Sequence, residues 1–184
     1  MPIFVKGYTL LIAASLTLML SNSSYAQEIS PNFEAESPQV NILSKSIDKS
    51  TRSPQRQQEL DNQLLAAAKN GSLLKVRSLT FQSANVNVRD QDGWTPLLWA
   101  VMNSHTEVSR FLLASGANPN TRNKYGWTPL MWAAGQGDSE IVRSLIARGA
   151  RLNAQDGNGW TAMMWAWDGN QQEAIAILKS VSNN

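Results

Sequence analysis

Cysteine is absent from all 184 residues. That excludes disulfides, thiolate catalysis and Cys-ligated zinc or iron–sulfur sites, so stability has to come from packing. Histidine occurs once, at His105, and nothing in the spacing implies the positioned partner that general acid–base work requires. Charge is scarce and balanced: 16 Lys and Arg against 14 Asp and Glu leave +2, with the basic residues scattered rather than clustered. This excludes a nucleic-acid footprint. The pI near 9.0 is too weak a bias to imply an acidic membrane or a polyanionic substrate.

Long apolar runs are missing too, apart from Tyr8 to Leu20 behind the lone charge of Lys6. At roughly a dozen residues it falls short of the ~20 that a membrane-spanning helix needs. The run closes on Ser21-Asn22-Ser23-Ser24, and the small residues Ser24 and Ala26 frame a cleavage site after Ala26. Residues 1–26 therefore read as a signal peptide, and the product is expected to be periplasmic or secreted, with no stable membrane insertion after cleavage. No cysteine follows the run, which excludes lipoprotein-type lipidation. Residues 27–58 hold three prolines, many Ser, Asn and Gln, and balanced charge. They read as a flexible, solvated linker.

What is present begins at Glu59. Gly93-Trp94-Thr95-Pro96-Leu97-Leu98-Trp99-Ala100 recurs as Gly126-Trp127-Thr128-Pro129-Leu130-Met131-Trp132-Ala133, and again as Gly159-Trp160-Thr161-Ala162-Met163-Met164-Trp165-Ala166, each time 33 residues on. Thr95 and Thr128 are suited to cap a helix, and Pro96 and Pro129 suit its first position, where no backbone donor is needed. A first helix is expected from Pro96 to near Asn103 and a second from Glu107 to Ala114, where Val108, Phe111 and Leu112 recur at helical spacing. Gly116 then closes it in a left-handed conformation, as Gly149 does after Ile141, Val142, Leu145 and Ile146. Ser83 stands in the corresponding place of the first repeat. Asn87, Asn120 and Asn153 lead into turn-rich segments, Asp90 to Gly93, Asn123 to Gly126 and Asp156 to Gly159, expected to form hairpin-like loops.

The period and the Thr-Pro-Leu start resemble the ankyrin repeat. The resemblance implies an all-α solenoid of about four repeats over residues 59–184, at approximately 59–91, 92–124, 125–157 and 158–184. The outer two are atypical, as capping repeats are: the first lacks Thr-Pro and the tryptophans, and the last has Lys179 at the place of Ile146. The signature histidine is replaced by Leu98, Met131 and Met164, so apolar packing is expected to take over its role between repeats.

The informative excess is tryptophan, seven in all, six of them in pairs five apart. Trp99, Trp132 and Trp165, with Leu97 and Leu130, are expected in the core. Trp94, Trp127 and Trp160 fall on the loop side, where the family varies and contacts are made. They are expected either to form an evenly spaced row that anchors a partner, with Tyr125, Asp92, Lys124 and Asn158 beside it, or to stack on one another and stiffen the loops. Asp90, Asp92 and Asp156 lack the ligand set of a calcium loop. No metal or cofactor is expected, nor an enzyme, for want of a nucleophile–base pair or a phosphate loop. Asn70-Gly71-Ser72 is formally a glycosylation acceptor, relevant only in a eukaryotic secretory pathway. The expected function is non-catalytic binding of an unidentified protein in the cell envelope by a monomer. Glycan or peptidoglycan binding through the tryptophan row, and inhibition of or immunity to a secreted enzyme or toxin, stand as alternatives.

Overall fold

The computed structural model describes residues 53–182. The expected signal peptide and nearly all of the linker lie outside the described residues. Among the described residues eight helices follow one another: α1 (Pro54–Lys69), α2 (Leu73–Phe81), α3 (Pro96–Met102), α4 (Thr106–Ala114), α5 (Pro129–Gln136), α6 (Ser139–Ala147), α7 (Ala162–Asp168) and α8 (Gln172–Ser182). The described residues hold no strand. The first helix of each pair packs on the first helix of the next (α1 on α3, α3 on α5, α5 on α7). The second helices do the same, α2 on α4, α4 on α6 and α6 on α8. Two helical layers result, with the loops after α2, α4 and α6 along one edge.

The local chemistry explains the register. Thr95, Thr128 and Thr161 sit in extended backbone and accept from the amides of Leu98, Met131 and Met164, which satisfies one otherwise orphaned helical donor in each. Proline opens α3 and α5. The structure places the domain start earlier than expected: Ser53 caps α1, whose proline-led first turn begins at Pro54 rather than at Glu59. Five residues assigned to the linker are thus helical, because Ser-Pro here initiates a helix where a Pro-rich reading suggested a tether.

Between the layers lies a continuous core. Leu64, Val76, Leu97, Val108, Leu112, Leu130, Met131, Ile141, Val142, Leu145 and Leu178 are almost wholly buried. Leu98, where the family carries histidine, is fully buried as well. Each pair is joined by a left-handed turn residue at the same place: Gly71, Ser104, Gly137 and Asn170. His105 follows the second of these, and its Nε2 lies 3.0 Å from the carbonyl of Lys69 in the preceding repeat. The histidine therefore bridges two repeats.

Ser83, Gly116 and Gly149 all take positive φ, +68°, +89° and +81°. Nothing lies within 4 Å of where a Cβ on Gly116 would sit, so substitution there reports the backbone alone. Gly116→Ala is expected to lower the unfolding free energy by about 1 kcal/mol, the cost of holding a side chain in the left-handed region. Urea denaturation checks this, and an unchanged midpoint would show that the turn relaxes.

Candidate partner-binding site

Each loop is held by the side chain at its first residue. Asp90 Oδ1 accepts from the amides of Asp92 at 3.0 Å and Trp94 at 2.9 Å, while Oδ2 accepts from the indole Nε1 of Trp99 at 3.1 Å. Asp156 does the same two repeats on, with Asn158, Trp160 and Trp165 at 2.8, 2.9 and 3.1 Å. One carboxylate thus ties a hairpin to the helix that follows it. These bonds occupy the oxygens of the two aspartates.

The middle repeat breaks the pattern. Asn123 replaces aspartate, and its Oδ1 accepts from Tyr125 and Trp127 at 3.0 and 3.1 Å. Where a carboxylate presents a second acceptor, the amide presents an NH2 group. Asn123 Nδ2 and Trp132 Nε1 are both buried without a partner. Rotating the amide does not help, since it would turn donors toward two backbone N–H groups.

Successive loops are tied to one another. Lys124 donates its amide to the Asp92 carbonyl and Gly157 to the Tyr125 carbonyl, each at 2.9 Å. The guanidinium groups of Arg89 and Arg122 reach the carbonyls of Arg122 and Gln155. At the tips, Lys124 Nζ pairs with the Asp92 carboxylate and lies 5.0 Å over the Tyr125 ring. The hydrogen bond it donates to Asp92, and after it the one to Tyr125, holds the lysine above its usual pKa. Asp92, Lys124, Tyr125 and Asn158 are all exposed.

The loop-side tryptophans do not form the expected surface row. Trp94 is only 6 % exposed: it stacks on Trp99 at 4.5 Å between centroids, and Trp127 and Trp132 close over it at 6.2 Å each. Trp127 is half-buried between Tyr125, Trp132 and Trp165. Trp160 is 38 % exposed and meets Trp165 alone among the described rings, at 5.8 Å. Trp94 therefore cannot be a contact residue. The indoles interleave across repeat boundaries, and the alternative of mutual stacking describes them. Trp99, Trp132 and Trp165 are half-buried beside the core rather than inside it, while Leu97 and Leu130 are 1 % exposed.

Residues 64–156 and 116–184 match the family described as ankyrin repeats (3 copies). The chain belongs to the ankyrin-repeat family. A comparison with curated proteins found no match. Ankyrin repeats generally mediate protein–protein interaction and are typically non-catalytic. Within that family, this chain has lost the signature histidine from all three Thr-starting helices and gained an indole ladder beside it. The contrast between Asp90 or Asp156 and Asn123 was visible in the sequence, yet its consequence was not, because only the fold shows that the group also receives the indole nine residues on.

Asn123→Asp is expected to stabilise the ankyrin domain by about 1 kcal/mol, since an unpaired buried donor costs ~1–3 kcal/mol and the carboxylate would gain Trp132 as Asp90 gains Trp99. Thermal denaturation measures it. A lower melting temperature would mean that burying the charge outweighs the gained bond.

Proposed function

We propose that this ankyrin domain is a non-catalytic binding module of the cell envelope that receives a partner protein on its hairpin tips and adjoining aromatic edge. The observation that carries the reading is the rigid presentation of Asp92, Lys124, Tyr125 and Asn158 on loops cross-linked by backbone and carboxylate bonds. Pre-organised loops lose little entropy on binding, and a tyrosine amid both signs of charge suits a polar protein surface. Trp127 and Trp160 border this patch. Export rests on the apolar run and the Ser24–Ala26 site of the sequence.

A glycan-stacking row draws less support, because Trp94 is covered by other indoles and leaves no continuous aromatic platform. Inhibition or immunity is one form that partner binding takes, with the same surface.

Two variants test the proposal without disturbing the core: Tyr125→Ala and Lys124→Glu. Purified chain is used to capture envelope proteins of its own cell, and the captured protein is then titrated against wild type and both variants. The affinity is expected to fall at least tenfold in each, as truncation of an interface aromatic or reversal of a contact charge does. Equal affinity for all three would remove the hairpin tips from the site. Fractionation of the cell tests the envelope location, which a wholly cytoplasmic product would overturn.

A further inference from the structure

The two ends of the stack differ in chemistry. At the N-terminal end, α1 exposes Pro54, Gln55, Arg56, Gln57, Gln58, Glu59 and Asn62, a largely polar surface of the kind a terminal repeat needs for solubility. At the C-terminal end Trp160, in the loop before α7, and Met164 and Trp167 on α7 are exposed, at 38, 44 and 57 %, beside Val181 at 38 %. These are inter-repeat positions. One repeat earlier, the place of Met164 is held by Met131 and two earlier by Leu98, 1 and 0 % exposed. Trp167 occupies the place of Ala134 and Val101, 0 and 3 % exposed. In both earlier repeats a following helix covers them, α5 over α3 and α7 over α5.

The fourth repeat thus keeps an apolar side chain at Met164, and a larger one at Trp167, where a cap would carry polar ones. Its hydrogen-bonding groups are open as well. Asn87 donates to the Gly116 carbonyl and accepts from Asn118, and Asn120 does the same with Gly149 and Arg151. Asn153, one repeat on, is exposed and makes neither bond. An end built from inter-repeat chemistry continues an established interface.

We infer that this C-terminal face is the contact between two copies of the chain, joined tail to tail. A head-to-tail arrangement would set Trp167 and Met164 against the polar α1 and strip water from its Gln and Glu side chains, which is costly. Tail to tail, apolar α7 covers apolar α7, and the amide of Asn153 has a donor and an acceptor to offer its own copy. The contact is isologous, so it closes at two and leaves the polar α1 of each copy in water, with Leu74 and Phe81 exposed beside it on α2. It also differs from the expectation of a monomer. Lys124 and Tyr125 stay outside the contact, as Met164 and Trp167 stay outside the partner patch, so variants at these positions separate the dimer from the partner site.

Sedimentation velocity of the full chain, from low micromolar to several hundred micromolar, tests this. A concentration-dependent shift to twice the monomer mass is expected. It should be lost in Trp167→Glu and in Met164→Glu, both at exposed positions where far-ultraviolet circular dichroism checks the fold, and kept in Leu74→Glu and Phe81→Glu at the other end. A monomer throughout the range would overturn the proposal, as would growth beyond the dimer or a dimer that Leu74→Glu or Phe81→Glu abolishes. Tyr125→Ala should leave the dimer intact, and its loss there would place the contact on the hairpin tips instead.

Discussion

The interleaving of tryptophan side chains across repeat boundaries is the contact on which the loop edge of this structure depends. Ankyrin repeats have no contacts beyond their neighbours, so each junction must stabilise the stack by itself. Here the junction loses the family's histidine, and Leu98 and Met131 fill its place in the core. The loop edge is then held by rings: Trp94 under Trp127 and Trp132, Trp127 against Trp165, and Trp132 against Trp165. Edge-to-face and tilted pairs of this kind contribute ~0.5–1.5 kcal/mol each beyond the apolar area they bury.

Two indoles of that ladder are aimed by hydrogen bonds. Asp90 and Asp156 orient Trp99 and Trp165 through Nε1, and the same carboxylates fix the hairpins whose tips are exposed. The part that holds the stack together and the part that presents residues to solvent are therefore one construction. Asn123 is its weak junction, since the middle repeat leaves two buried donors without partners. The defect sits next to Lys124 and Tyr125, in a loop that the backbone bonds of Lys124 and Gly157 still tie to its neighbours.

Much of the fold was legible. The 33-residue register, the Thr-Pro starts and the glycines after α4 and α6 led to helix boundaries within a residue or two of those observed. The start of α1 was not, because Ser53-Pro54 lies in a segment whose composition resembles a linker and whose helix is stabilised by packing on α2 and α3. The site was less legible for a different reason. Equivalent positions in the three tryptophan repeats look alike in sequence, yet their exposure depends on how many repeats follow. Among the described residues Trp94 is followed by two and is buried, Trp127 by one and is half-buried, and Trp160 by none and is open. Periodicity identifies the position, and packing of the next repeat decides its burial.

Hydroxyl-radical footprinting, read residue by residue by mass spectrometry, tests the tryptophan spine most directly. Trp167 and Trp160 should label fastest, Trp127 more slowly and Trp94 slowest of the four, following their exposure. Labelling of Trp94 at the rate of Trp160 would contradict a stack in which each indole is covered by the repeat that follows it.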